Sequence, residues 1–148
     1  PYKILISGRM TQFVNAFGDE VMVDNSDKAL AKTCLATQAT VVDYTEAPIY
    51  FQQEDRGRHE WLIEFEHPPV DLEQFTQLLD QNLQAINSDY EAKRYKSIAL
   101  ARLTLTVLPN GTFKEWLRAK GKLGGQHKVP RLANDRKYID EILSFTAT

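Results

Sequence analysis

Two neighbouring runs of β-branched and aromatic residues, joined by a short polar stretch, constrain the fold of this chain most. The runs span residues 40–51 and 59–66, and residues 52–58 between them are polar and include a glycine. In the second run, alternate residues are apolar and would share one face of a strand: Trp61, Ile63 and Phe65. This pattern favours an antiparallel hairpin. Because one hairpin cannot bury its own apolar face, the rest of the chain must cover it.

The opposite face of the second strand carries three carboxylates: Glu60, Glu64 and Glu66. Polar residues that alternate with apolar ones normally point to water when only one face of a sheet is buried. We therefore expect a solvated face here rather than a catalytic site.

Helical segments supply the cover. The clearest helix begins at Asp71 and carries an apolar stripe: Leu72, Phe75, Leu78, Leu79, Leu83 and Ile86. The remaining elements are helices over about 26–37, 90–96 and 112–120 and after Asn134-Asp135, strands over 2–7 and 103–108, and a small hairpin around Gly18. The 148 residues have the usual size of one domain. We predict an α+β domain with a small, mostly antiparallel sheet, an N-terminal β-hairpin and flanking helices.

Charge and hydropathy exclude several classes of protein. The chain has 18 Lys and Arg against 20 Asp and Glu, a net charge of −2, which argues against binding to nucleic acid. No apolar run approaches the roughly 20 residues of a membrane span, and the N-terminus lacks a secretory signal pattern. We therefore expect a cytoplasmic protein with neither a membrane nor a nucleic-acid partner.

Cysteine and histidine residues give little support for a disulfide or a metal site. Cys34 is the one cysteine, and its place in an apolar helical pattern favours an inert core thiol. The three histidines are too far apart in sequence for a metal motif: His59, His67 and His127. We expect no metal site in this domain.

The residues best suited to bind an anion lie in one loop, 121–131, which combines three glycines, a proline and several cations. Glycines let backbone N–H groups approach an anion closely, and neighbouring cations favour phosphate or carboxylate. The loop does not have the Gly-x-x-x-x-Gly-Lys-Ser/Thr pattern of a phosphate loop. On composition alone, a solvated basic loop is the commoner explanation, and an anion site stays open beside it.

Two motifs, one near each end of the chain, resemble those that open and close the C-terminal domain of the adenylate-forming superfamily. Ser7-Gly8-Arg9 followed by residues 13–21 resembles the hinge, and residues 125–131 resemble the loop with the catalytic lysine. Within the superfamily, the chain looks closest to the bacterial branch of the auxin-responsive Gretchen Hagen family of acyl-acid amido synthetases. Three stretches carry that resemblance, 15–25, 87–95 and 121–131, and it covers nearly the whole chain.

The resemblance implies an ATP-dependent ligase. Such an enzyme converts a carboxylic acid into an acyl-adenylate with release of pyrophosphate, and an amine, commonly an amino acid, then attacks the adenylate. Mg²⁺ accompanies the nucleotide. Residues 1–148 would be the mobile C-terminal lid, inactive alone, after a large N-terminal domain with the nucleotide and acyl sites. A longer polypeptide also fits a chain that begins at Pro1, without a methionine, inside a strand-like run.

The resemblance also implies roles for individual residues of the loop. Lys128 would be the catalytic lysine that meets the reacting carboxylate and the α-phosphate, with Arg131 as its supporting cation. Arg131, Gly125 and Gln126 would form the nucleotide and phosphate site.

The hinge departs from the usual superfamily pattern. Gly8 and Arg9 match it, but a lysine usually follows them, and this chain has Met10, Thr11 and Gln12. This departure bears on how the domain closes. Arg9 can equally be a structural residue that pairs with Asp19 or Glu20.

Two other classes of function stay open at this stage. A free-standing α+β module could use the same sheet to bind or sense an anionic metabolite, and a Met directly before Pro1 would favour it. An upstream domain in the same reading frame would favour the ligase. Binding to RNA would require an affinity that depends strongly on salt.

Overall fold

A computed structural model of the chain describes residues 13–14, 17, 19–52, 56–97, 99–122 and 128–147. The described residues form five strands, five α-helices and one turn of 3₁₀-helix. In chain order they are β1 (Phe13–Val14), β2 (Val21–Met22), α1 (Val23–Thr37), β3 (Thr40–Tyr50), β4 (Gly57–His67), α2 (Leu72–Ile86), α3 (Ser88–Arg94), the 3₁₀ turn (Tyr95–Ser97), β5 (Thr104–Leu108), α4 (Thr112–Lys122) and α5 (Lys137–Ala147). The predicted strand over residues 2–7 lies outside the described residues.

The main sheet has three strands in the order β3-β4-β5. Strands β3 and β4 pair antiparallel, as the hairpin pattern predicts, with Tyr44 opposite Ile63. Strands β4 and β5 pair parallel, with Leu62 opposite Thr106. The sheet is therefore mixed rather than mostly antiparallel, because α2 and α3 form a crossover that brings β5 back in the direction of β4. Strands β1 and β2 form the predicted small hairpin as a separate antiparallel pair.

Both faces of the sheet are covered. On one face, Trp61 and Ile63 belong to a core that includes Phe75 and Leu79 of α2, together with residues of α1. On the other face, Leu62 belongs to a second core with residues of α4 and α5: Phe113, Trp116, Ile139 and Ile142. Strand β4 is thus a central strand with buried side chains on both faces, which places helical layers above and below it.

Side chains that accept hydrogen bonds from free backbone N–H groups set the starts of several helices. Asp71 accepts from the backbone N–H of Gln74 at 3.1 Å and begins α2, as predicted. Helix α1 begins at Val23, earlier than the predicted residue 26, because Asn25 accepts from the backbone N–H of Met22 at 2.9 Å. Within the part of the chain that the structure describes, no helix has the length and apolar character needed to cross a membrane.

Candidate functional site

The segment that follows Lys128 is hydrogen-bonded to the outer edge of β3. The hydroxyl of Thr45 donates to the carbonyl oxygen of Pro130 at 2.6 Å. The backbone N–H of Glu46 donates to the carbonyl of Arg131 at 2.7 Å, and the N–H of Ala133 donates to the carbonyl of Glu46 at 3.1 Å. These three bonds hold residues 130–133 against the sheet like a short added strand.

Lys128 lies two residues before this attachment. Its side chain is exposed, whereas the next residue, Val129, is buried in the core beneath α4 and α5. The lysine therefore projects from a point that is fixed on its C-terminal side. Gly125 and Gln126, predicted to share the phosphate site, lie outside the described residues, as do the hinge residues Gly8 and Arg9.

Arg131 is held by acidic and aromatic neighbours. Its guanidinium lies 3.4 Å from a carboxylate oxygen of Asp27 and 3.3 Å from one of Asp43. It also stacks over the ring of Tyr44, 5.6 Å from the ring centre. Partial burial acts to lower the pKa of Arg131, but the two carboxylates outweigh it and the pKa is raised. Contact between Arg131 and a nucleotide stays a prediction.

Tyr44 completes this cluster. Its hydroxyl donates to Asp27 at 2.6 Å, and burial, followed by that hydrogen bond, raises the pKa of the phenol. Asp27, Asp43 and Arg131 together carry a formal charge of −1, so the cluster leaves no net positive charge for a phosphate. Its geometry suits fixing the loop to α1 and β3.

A shallow groove begins at this cluster and runs between α1 and the start of β3. Its walls are mostly apolar and include Leu30, Cys34, Ala39 and Val41, with Arg131 at the rim. Cys34 is half-buried and packs against the first core, and burial raises the pKa of its thiol. The thiol therefore lies at the edge of the core rather than inside it, and its raised pKa lowers the reactive thiolate fraction.

A buried ionic cluster joins three segments of the chain, and the sequence pattern gave no motif for it. The Nε2 atom of His59 lies 2.7 Å from Asp19, its Nδ1 lies 3.6 Å from Glu46, and all three side chains are fully buried. Ser26 of α1 donates to the other oxygen of Glu46 at 3.2 Å. The alternation along each strand could have placed both residues in the core. His59 lies two residues before Trp61, and Glu46 lies two residues after Tyr44, so each shares the core-facing side of its strand.

The charge of His59 follows from its two neighbours. Burial acts to lower the pKa of His59, but the hydrogen bond to Asp19 and the charges of Glu46 and Asp19 raise it to about 10. The imidazole is therefore protonated at neutral pH and lies between two carboxylates. Among the described residues, no group of three or more His, Cys, Asp or Glu side chains could hold a metal ion.

The prediction that this face of β4 is solvated is wrong for Glu64 and Glu60. Glu64 is buried and accepts from the backbone N–H of Gly111 at 2.8 Å and of Phe113 at 3.0 Å, at the start of α4. Glu60 pairs with Arg136 at 2.8 Å. The reason is the second helical layer, which covers this face of the central strand; of the three carboxylates, only Glu66 stays exposed.

The described residues define a class: an α+β domain with helices on both faces of a mixed sheet and a lysine-bearing loop on the edge of that sheet. Comparison with known proteins then gives the family. The GH3 family C-terminal domain matches residues 24–137. The chain therefore belongs to the GH3 family, which is the Gretchen Hagen family of the sequence resemblance, while its place in the bacterial branch stays a prediction.

Solved structures support the same fold. Two of them, described as "GH3.15 acyl acid amido synthetase" and "AtGH3.15 acyl acid amido synthetase in complex with 2,4-DB", each superpose with a TM-score of 0.69 at 17% identity. Each match covers 87% of this chain and 24% of the other, so the chain spans about a quarter of the length of these proteins. No curated protein matches by sequence.

Proposed function

We propose that this chain is the mobile C-terminal domain of an ATP-dependent acyl-acid amido synthetase, and that Lys128 supplies the cation for acyl-adenylate formation. Membership of the GH3 family, and the amido synthetases among the structures of similar fold, support this class of reaction. The choice of Lys128 rests on its match to the superfamily loop and on its exposed position beside an attached segment. In this proposal a large N-terminal domain of the same polypeptide binds the nucleotide and the acid.

The first step places a requirement on the domain that Lys128 can meet. A carboxylate oxygen of the acid attacks the α-phosphorus of ATP, the bond from that phosphorus to the β-phosphate oxygen breaks, and pyrophosphate leaves. Negative charge builds on the α-phosphate oxygens in the transition state. A cation that arrives only when the domain closes stabilises this state without tightening the binding of free ATP.

Because its loop is attached to the sheet, Lys128 would reach the same position each time the domain closes. Thr45 and Glu46 fix the backbone at Pro130 and Arg131, two and three residues after Lys128, and Asp27 and Asp43 hold the side chain of Arg131. In our proposal, Arg131 supports the lysine by fixing the loop to the domain, and Gly125 and Gln126 complete the contact with phosphate.

The second step needs a different contact between the domains. The nitrogen of an amine attacks the acyl carbon of the adenylate, the bond from that carbon to AMP breaks, and the nitrogen releases a proton to solvent as the amide forms. We propose that rotation at the Gly8-Arg9 hinge removes Lys128 from the cleft and admits the amine. The amine is an amino acid in this proposal.

The test is ATP-dependent pyrophosphate release by the full-length protein over a panel of carboxylic acids. With an acid that stimulates release, Lys128→Ala should lower the rate at least tenfold. Removal of one such electrostatic contact typically lowers a rate about 10²-fold. Lys114→Ala, which removes an exposed lysine from α4, is the matched control and should leave the rate within twofold. An undiminished rate in Lys128→Ala, with nucleotide still bound, would reject the assignment.

A further inference from the structure

The buried Asp19–His59–Glu46 cluster is expensive for the fold. Three of its atoms have no hydrogen-bond partner among the described residues: Oδ1 of Asp19, Oε2 of Glu46 and Nδ1 of His59. Two carboxylates and one imidazolium leave a formal charge of −1 inside the protein. A buried ion pair is often no more stabilising than apolar side chains of the same volume. Stability alone therefore gives a poor reason for this cluster.

The cluster joins three segments of the chain through their side chains. Asp19 lies in the stretch before β2, Glu46 lies on β3, and His59 lies on β4 and bonds to Asp19. Through Ser26, the side chain of Glu46 also holds the first turns of α1. The next residue of that helix, Asp27, carries one of the two carboxylates that hold Arg131.

Glu46 is the residue in which these connections converge. Its side chain faces His59 and accepts from Ser26, while its own backbone N–H and C=O bind Arg131 and Ala133. A shift of this side chain would therefore be transmitted directly to the segment that follows the lysine. No other residue of β3 has both its side chain in the cluster and its main chain on the loop, among the described contacts.

We propose that the Asp19–His59–Glu46 cluster is a positioning unit for the loop of Lys128, with Glu46 as its central residue. The inference rests on the proposed function of Lys128. The groups that face His59 are the carboxylates of Asp19 and Glu46 and the aromatic rings of Tyr90 and Phe17, at 5.3 and 6.1 Å between ring centres. The imidazolium therefore has two charged partners, one on each nitrogen.

The test replaces Glu46 by glutamine in the full-length protein. Glutamine keeps the shape and can still accept from Ser26, but its uncharged amide no longer attracts the Nδ1–H of His59. The turnover number for pyrophosphate release should fall about tenfold, within the range for a displaced catalytic group, while the KM for ATP stays within twofold. The assay temperature is kept well below the melting temperature of every variant.

A control separates positioning from general destabilisation. Thr33 is another fully buried polar side chain, which donates to the carbonyl oxygen of Ala29 and accepts from the amide of Asn82, and neither partner belongs to the cluster or the loop. Thr33→Val should lower the melting temperature yet leave the turnover number within twofold. An equal loss of turnover in Thr33→Val would show that Glu46 acts only through stability, and would overturn the proposal.

A milder variant covers the case in which Glu46→Gln fails to fold. Ser26→Ala removes only the hydroxyl that joins Glu46 to α1, and it should lower the turnover number about threefold with an unchanged KM. One outcome rejects the positioning unit and keeps the proposed function: Lys128→Ala is impaired, but every folded variant of Ser26 and Glu46 keeps a turnover number within twofold of the parent. A Lys128→Ala protein with full turnover rejects both.

Discussion

Glu64 offers the sharpest test of how this fold is held together. It is 4% exposed, and its two carboxylate oxygens each accept one hydrogen bond from the start of α4, from Gly111 and Phe113. The carboxylate therefore satisfies two of the backbone N–H groups that a helix leaves free at its N-terminus, and its charge interacts favourably with the helix dipole. Glu64→Ala removes both bonds at once.

The expected loss follows from the surroundings of the two donors. The N–H of Phe113 is buried, so without Glu64 it carries the full penalty of an unsatisfied polar group, about 1–3 kcal/mol. The N–H of Gly111 is only partly buried, and water can replace most of its bond. Adding about 1 kcal/mol for the lost interaction with the helix dipole, we expect the free energy of unfolding to fall by about 2–4 kcal/mol.

Urea unfolding of the 148-residue chain, followed by tryptophan fluorescence, measures this loss, because Trp116 is buried on α4 itself. The control is Glu66→Ala, two residues further along the same strand and exposed, which should change the free energy of unfolding by no more than about 0.5 kcal/mol. Similar losses in both variants, or a loss below about 1 kcal/mol for Glu64→Ala with an unchanged slope against urea, would refute the reasoning.

Three further measurements address other parts of the domain. The pKa of His59 is raised from 6.5 to about 10, so protonation of its imidazole stabilises the fold fully below about pH 6.5, and this contribution is lost as the pH rises through 10. Urea unfolding across this range should show the free energy of unfolding decline, and His59→Gln should lack that decline. Asp80→Ala leaves Arg94 and the hydroxyl of Tyr90 without their buried carboxylate, so the free energy of unfolding measured by thermal unfolding should fall by about 3–5 kcal/mol. An exposed substitution should change it by no more than about 0.5 kcal/mol. Cys34 should react with a thiol reagent more slowly in the native protein than in urea, because burial raises its pKa; equal rates would contradict its place against the core.

Local patterns in the sequence were sufficient for several of the elements that the structure describes. A period of two in residues 59–66 and a helical stripe after Asp71 predict β4 and α2, since periodicity and capping depend only on neighbours along the chain. The family followed from short motifs, and the match over residues 24–137 confirms it.

The candidate site was only partly accessible in this way. Its motif predicts Lys128, but the partners of Arg131 come from residues 27 and 43, about one hundred positions earlier in the chain. The attachment of residues 130–133 to β3 likewise depends on an edge of the sheet that no local pattern specifies. The predicted roles of Gly125, Gln126, Gly8 and Arg9 rest on the sequence alone.

Tertiary packing decided the properties that depend on what covers each face of the sheet. The alternation in β4 is the same whether its second face meets water or helices, so only the position of α4 and α5 makes Glu64 a buried helix cap. The crossover through α2 and α3 likewise decided that β5 pairs parallel. His59 acquired its charge because folding brings Asp19 and Glu46 to its two nitrogens, and an interaction between segments so far apart has no signature in the sequence of any one of them.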